Sequence, residues 1–136
     1  MGRRVAVPEH IRFALETFFG AGVARVVVVE RSLFARMHYK INATTRRRRI
    51  YLVDSAEKFF ANPTLMLHEY CHVMKQWEPG HLTTSRYLLE CFRKGYWDNR
   101  FEIEAREFAA DNLYRFRALL RGPKAPSKAP SQPPGD

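Results

Sequence analysis

The 136-residue chain has little cysteine and no long apolar run, and both absences limit its function. Its only cysteines, Cys71 and Cys91, allow at most one disulfide, which excludes a disulfide-stapled scaffold and favours a reducing compartment. No run of about 18 apolar residues occurs, which excludes a membrane-spanning helix. Pro8 interrupts the basic N-terminus before the apolar core of a signal peptide can form. We therefore expect a cytoplasmic monomer with no membrane partner.

Acidic residues are also scarce, with 14 Asp and Glu against 23 Lys and Arg, a net charge of +9. Such an excess of positive charge favours polyanions and acidic surfaces as partners. The densest basic run, Arg46 to Arg49, is predicted to be the exposed tip of a β-hairpin. A contact with nucleic acid or with an acidic substrate is the alternative interpretation of this run.

The composition divides the chain at Gly122. Residues 1–121 have the apolar and charged content of one ordinary globular domain. Residues 122–136 are rich in proline and contain no aromatic or branched aliphatic side chain. Such a segment cannot bury enough apolar surface to offset its ordering entropy, so we predict a disordered tail.

Hydrophobic periodicity in residues 1–121 predicts an α+β domain in which a small sheet precedes several helices. The predicted elements are a helix from Pro8 to Phe19, a strand over 25–30 buried on both faces, a short helix from Ser32 to Tyr39, strands over 41–45 and 50–53, and helices over 63–77, 83–94 and 98–120. The predicted N-caps of the last three helices are Asn62, Thr83 or Thr84, and Asp98 or Asn99.

One motif carries chemistry: residues 68–72 read H-E-x-x-H inside the predicted helix over 63–77. The spacing stacks His68 and His72 on one helix face, which suits two ligands of a tetrahedral Zn²⁺ ion. Glu69, rotated by about 100° from His68, can face a water on the metal and remove its proton. The motif therefore predicts a zinc hydrolase with Glu69 as general base.

A zinc hydrolase needs a third protein ligand, and Glu102, Glu104 and Glu107 lie on one predicted helix. Glu102 shares a helix face with Ala105 and Ala109, whose small side chains would allow close approach to the motif helix. Glu102 is therefore the preferred third ligand, and Glu104 is the alternative.

These segments resemble a glutamate-zincin (gluzincin) metallopeptidase core, in which H-E-x-x-H is followed by a helix bearing E-x-x-A. More narrowly, the chain resembles the metallopeptidase domain in core components of extracellular contractile injection systems. That domain combines an I-Y-L strand with L-x-H-E-x-x-H-V-x-x-Q and E-x-E-A. The matching stretches are Ile50–Leu52, Leu67–Trp77 and Glu102–Ala105, and the resemblance covers about residues 8–112.

The resemblance implies peptide-bond hydrolysis, with His68, His72 and Glu102 as zinc ligands and Glu69 as the base. In the related E-x-x-A-D motif an aspartate orients a ligand histidine, and Arg106 stands at that position here. The strand over 50–53 would present an edge to an extended substrate. The oxyanion donor could be any of four residues in the right interval: His81, Tyr87, Tyr96 and Arg100.

Two other functions stay open at this point. An inactive zinc-binding interaction module is favoured by Arg106, while the intact Glu69 argues against it. A DNA-associated protease is favoured by the basic charge and by Arg46–Arg49.

Overall fold

The computed structural model describes residues 2–32 and 43–122. They form a small sheet and several helices, the α+β class that was expected; the first helix lies between the first two strands, and the other helices follow the sheet. The strands are β1 (Arg3–Val5), β2 (Val27–Glu30), β3 (Ala43–Arg46) and β4 (Arg49–Leu52). The helices are α1 (Glu9–Phe19), α2 (Ala56–Phe60), α3 (Pro63–Cys71), α4 (Thr84–Lys94) and α5 (Arg100–Leu120). The helix predicted from Ser32 to Tyr39 and almost all of the proline-rich tail lie outside the described residues.

The sheet has the strand order β1-β2-β4-β3. The internal strands β2 and β4 run parallel, while β1 and β3 pair antiparallel at the two sides. Val28 and Val29 point to opposite faces of β2 and are both buried, as predicted for a central strand. The strand begins two residues later than expected, because a 3-10 turn covers Ala21–Arg25.

Two expectations about the sheet are wrong. The sequence predicts no strand before α1, but β1 pairs with β2 there. The strand over 50–53 is predicted to be an edge that accepts substrate, yet β4 lies between β2 and β3 and its backbone is paired on both sides. Among the described strands, β3 is the free edge on this side of the sheet.

The helix boundaries follow side-chain capping. Asn62 accepts the Leu65 N–H at 3.1 Å at the start of α3, with Pro63 in the first turn. Thr83 caps α4 and Asn99 caps α5 through equivalent bonds, at 3.2 and 2.8 Å. The described part of the chain contains no helix with the length and apolarity needed to span a membrane.

The core lies between the sheet and the three helices α1, α3 and α5. Tyr70 of α3 stacks on Phe19 of α1, and Phe116 of α5 packs edge-on against Phe18. Ala105 and Ala109 are fully buried on α5, which packs closely along α3. This packing brings the helix with the H-E-x-x-H motif against the helix with the candidate third ligand.

The arginine run forms the tip of the β3–β4 hairpin, as predicted, with Arg47 and Arg48 in the turn. Arg48 has a left-handed φ of 61°. Its guanidinium donates two hydrogen bonds to the Glu78 carboxylate, at 3.2 and 3.1 Å. The hairpin tip is therefore attached to the segment that follows the motif helix.

Glu30 joins three elements at the end of β2. One carboxylate oxygen accepts the Ala56 N–H of α2 at 2.7 Å, and the other accepts hydrogen bonds from Arg3 of β1. The Ala56 hydrogen bond and then the Arg3 contact lower the pKa of Glu30 below its usual value.

Replacing Glu30 by glutamine should lower the melting temperature at pH 7. A carboxyl group whose pKa is lower in the folded than in the unfolded state stabilises the fold above the unfolded pKa. That contribution is lost as the pH falls through the folded pKa, so the wild-type and Glu30→Gln curves should converge in acid. Thermal melts from pH 7 to pH 2 measure this, and a difference independent of pH would contradict it.

Candidate metal centre

The H-E-x-x-H motif spans the junction between α3 and a wider helical turn. His68 and Glu69 lie in α3, while His72 begins a π-helical segment, His72–Trp77. The predicted single α-helix over 63–77 is therefore correct only to Cys71. In the wider turn the Glu78 N–H bonds the Val73 carbonyl at 2.9 Å, and the Gln76 carbonyl accepts the Leu82 N–H at 2.8 Å. Such π-turns are frequent at functional sites.

Three potential ligand atoms converge beside this junction. His68 Nε2 lies 2.9 Å from Glu102 Oε1, and His72 Nε2 lies 3.1 Å from the same oxygen. The two imidazole nitrogens are 3.2 Å apart. His72 and Glu102 are buried, and His68 is nearly so. The three residues form a cluster that could hold a metal ion.

The spacing of these atoms suits zinc. Zinc bonds of about 2.0–2.1 Å to nitrogen and oxygen place tetrahedral ligands about 3.4 Å apart. The distances of 2.9, 3.1 and 3.2 Å are close to this value, so a small outward shift of each side chain would fit the ion. Two imidazoles and one carboxylate are also the ligand set of zinc hydrolases with an open fourth position.

Gln76 determines the orientation of the His72 ring. Its amide nitrogen donates to the Phe101 carbonyl at 3.0 Å and to Glu104 Oε1 at 2.7 Å, so its amide oxygen faces His72. That oxygen lies 2.6 Å from His72 Nδ1, which must carry the proton of this hydrogen bond. In the neutral ring Nε2 is then left with its lone pair toward the cluster, as a metal ligand requires.

The two candidate glutamates of α5 have different positions. Glu102 is buried with its carboxylate between the two histidines. Glu104 is exposed and contacts Gln76 instead of the cluster. The structure therefore brings His68, His72 and Glu102 together. Glu104 lies outside this cluster and is connected to His72 only through Gln76.

Gln76→Leu should weaken zinc binding by about 10–100-fold, the usual cost of losing a group that orients a ligand. Leucine has a similar size but leaves the His72 Nδ1–H and the Phe101 carbonyl without their partner. Competition with a chromogenic chelator measures the affinity, with circular dichroism to verify the fold. A folded Gln76→Leu protein with wild-type affinity would show that this contact does not serve the metal.

Burial governs the ionisation of the cluster. Desolvation raises the pKa of Glu69, opposed by the two histidines and reinforced by Glu102. Burial also raises the pKa of Glu102, but hydrogen bonds from His68, His72 and Tyr87 outweigh it and hold this pKa well below its usual range. Burial lowers the pKa of His72, yet the Glu102 carboxylate outweighs it and raises the value to about 9. A metal ion at this position would compete with that proton.

Two tyrosines complete the surroundings of Glu102. The Tyr87 hydroxyl of α4 donates to Glu102 Oε2 at 2.6 Å, and the Tyr96 hydroxyl lies 3.4 Å from Oε1. Of the four candidate oxyanion donors, only these two have contacts with the cluster among the described interactions. His81 is exposed, and Arg100 lies over the Phe101 ring. Tyr96 is half-exposed, so its hydroxyl can reach a bound molecule, whereas Tyr87 holds the carboxylate.

Arg106 does not take the place of the missing aspartate. Its guanidinium stacks on the Trp97 ring, 3.7 Å from the centroid, and donates to the Trp97 carbonyl at 2.6 Å. The side chain that contacts a histidine of the cluster is instead Gln76, whose amide oxygen lies 2.6 Å from His72 Nδ1. Cys71 is fully buried, and burial raises the pKa of its thiol to about 12, as expected for a structural cysteine.

No family model matches the chain, and no match was found among curated proteins or solved structures. The functional argument therefore depends on the residues of the cluster and on their geometry.

Proposed function

We propose that the protein is a zinc-dependent metallopeptidase. The observation that carries this proposal is the convergence of His68, His72 and Glu102, from two helices, with Glu69 beside them. Zinc held there would supply a Lewis acid that polarises a carbonyl group and makes a water molecule acidic.

Glu69 would act as the base of this reaction. It lies one residue after His68, and it is buried, so its carboxylate is held in a site with little competing solvent. Its raised pKa suits a group that first takes the proton of the attacking water and then gives it to the departing amine. The Tyr96 hydroxyl, which lies 3.4 Å from Glu102 Oε1, could donate to the developing oxyanion.

An extended peptide could add to β3 rather than to β4. Among the described strands β3 is the edge beside the motif, and Thr45 on this strand accepts a hydrogen bond from Trp77 Nε1 at 3.1 Å. Strand addition would supply affinity through main-chain hydrogen bonds and so tolerate many peptide sequences.

The two other functions receive less support. The interaction-module alternative relied on Arg106, but this residue packs on Trp97 while Gln76 serves His72. The DNA-associated protease relied on the net positive charge and on Arg46–Arg49, and within this run Arg48 is paired with Glu78. Within residues 2–32 and 43–122, no contact favours either alternative.

Zinc analysis combined with a proteolysis assay tests the proposal. The purified chain should contain about one zinc ion, removable by chelation, and should digest a casein-type substrate. Glu69→Gln should keep the zinc and lower the rate at least about 100-fold, because it removes the base but no ligand. Exposed Glu57→Gln is the matched control and should have wild-type activity. Stoichiometric zinc with no Glu69-dependent cleavage would refute the peptidase assignment and favour the interaction module.

A further inference from the structure

Helix α4 presents an apolar face that nothing in the described part of the chain covers. The helix contains no buried residue. Leu88 is 61% exposed, Leu89 57% and Phe92 89%, and Trp97, just beyond the helix, is 65% exposed. At 100° per residue, the three helical side chains lie within an arc of about 100°. This is the width of the apolar stripe of an amphipathic surface helix.

The opposite side of α4 binds the rest of the protein through few contacts. Tyr87 donates to Glu102, and Asn99 donates to the Tyr87 carbonyl at 3.3 Å and to Cys91 Sγ at 3.2 Å. The helix is therefore attached by hydrogen bonds along one line, with Leu88, Leu89 and Phe92 turned away.

Basic side chains border this apolar face. Arg86 and Arg93 are exposed on α4 next to Leu89 around the helix axis. Lys94 is exposed on the opposite side of α4, and Arg100 is exposed at the start of α5. The only acidic residue of α4, Glu90, is mostly buried and lies 3.9 Å from both Arg93 and Arg100. Asp98 is exposed beside Trp97, but the four basic side chains outnumber Asp98 and Glu90. The surface presented outward thus combines leucine, phenylalanine and tryptophan with a net positive charge.

We propose that the α4 face, defined as Leu88, Leu89, Phe92 and Trp97 with the bordering basic residues, docks on an anionic lipid bilayer surface. Helices that lie in the plane of a bilayer combine Leu, Phe and Trp on one face with Lys and Arg on the other. Anionic headgroups would attract the arginines and lysine, while the apolar side chains enter the boundary with the acyl chains. Long basic side chains can extend to the headgroups while the helix lies deeper.

The charge and apolarity of the α4 face argue against two other binding partners. A second copy related by a twofold axis would bring the basic side chains of both faces together, which is repulsive. Nucleic acid would satisfy the charge but offers little apolar surface to Leu88 and Leu89. The inference concerns contact with one leaflet and agrees with the lack of a membrane-spanning helix in the described residues. It goes beyond the expectation of no membrane partner, which considered only spanning segments and not contact with a bilayer surface.

Co-sedimentation of the full chain with vesicles tests the proposal. Binding to 3:1 phosphatidylcholine–phosphatidylglycerol vesicles should exceed binding to phosphatidylcholine alone by at least about tenfold at low salt, and the preference should vanish near 1 M salt. The variant Leu88→Ser/Phe92→Ser should lose at least about tenfold in partitioning. Tyr114→Ser, at an equally exposed aromatic on α5, should bind as the wild type does.

Tryptophan fluorescence reports the depth of the contact. The chain has two tryptophans, so Trp77→Phe leaves Trp97 as the single probe, and its emission should shift to shorter wavelength with anionic vesicles. Equal binding to both vesicle types, or equal loss in Tyr114→Ser, would overturn the proposal. So would a wild-type dimer that Leu88→Ser/Phe92→Ser dissociates, or preferential binding to DNA. Zinc-free protein should behave identically, so the outcome does not depend on the peptidase assignment.

Discussion

Replacing Glu102 by alanine should remove most of the zinc affinity of the chain, whereas replacing Glu104 should change it by about tenfold or less. Glu102 Oε1 lies within 3.1 Å of both imidazole nitrogens, so it is the third atom of the candidate ligand set. Without it two ligands remain, fewer than any structural or catalytic zinc site uses. Glu104 contacts Gln76, and Gln76 contacts His72, so two residues lie between Glu104 and the metal position.

Competition with a chromogenic chelator compares the two variants directly, since both lose one glutamate from the same helix. Zinc-dependent stabilisation is a second measure, because an ion bound only by the folded state raises the melting temperature. That rise should disappear in Glu102→Ala and persist in Glu104→Ala. The reverse pattern would show that the ligand set is misassigned and that α5 is rotated relative to the motif helix.

Phe116→Ala should destabilise the fold by about 3–5 kcal/mol, the usual cost of truncating a buried phenylalanine. Phe116 is fully buried on α5, and its ring packs edge-on against Phe18 with centroids 5.8 Å apart. A loss of this size is a large part of the roughly 5–15 kcal/mol by which small domains are stable.

Urea denaturation measures this loss, and Tyr114→Ala is the matched control. Tyr114 lies two residues earlier on α5 but is 85% exposed, so its removal should change the free energy of unfolding by about 0.5 kcal/mol or less. The zinc affinity of folded Phe116→Ala should be unchanged, because Phe116 lies about 21 Å along the helix from Glu102. Equal destabilisation by both variants would contradict the packing of α5 on α1.

Local signals in the sequence were sufficient to predict α1, α3, α4 and α5, but not the short helix α2 or the π-helical end of the motif helix. Asn62 and Pro63 specify where α3 begins, and H-E-x-x-H places His68 and His72 on one face regardless of the rest of the fold. The small side chains of Ala105 and Ala109 favoured Glu102 over Glu104, and the geometry of α5 supports this choice.

The sheet was harder to predict, because its order depends on contacts between distant segments. Strand β1 is only three residues long and begins with two arginines, so it has no alternating apolar pattern. The internal position of β4 follows from its pairing with both β2 and β3, which no periodicity in residues 50–53 encodes.

The contacts around the cluster could not be predicted from the sequence, because they depend on tertiary packing. Gln76 lies four residues after His72, a spacing compatible with contact, but a glutamine there is usually a surface residue. Only the packing of α5 buries it and supplies the Phe101 carbonyl that orients its amide. In the sequence Tyr87 was one of four equivalent candidates for the oxyanion donor. Only the packing of α4 against α5 brings its hydroxyl to Glu102.

The two attachments of the β3–β4 hairpin to residues 77 and 78 have a consequence for where a peptide would be cut. Trp77 holds Thr45 on the edge strand, and Glu78 holds Arg48 at the hairpin tip, directly after the π-turn that begins with His72. A peptide aligned on β3 would therefore have a fixed position relative to the segment that carries His72. Under the proposed peptidase function, cleavage would fall a set number of residues from the point where the peptide begins to pair with β3, rather than beside a preferred side chain.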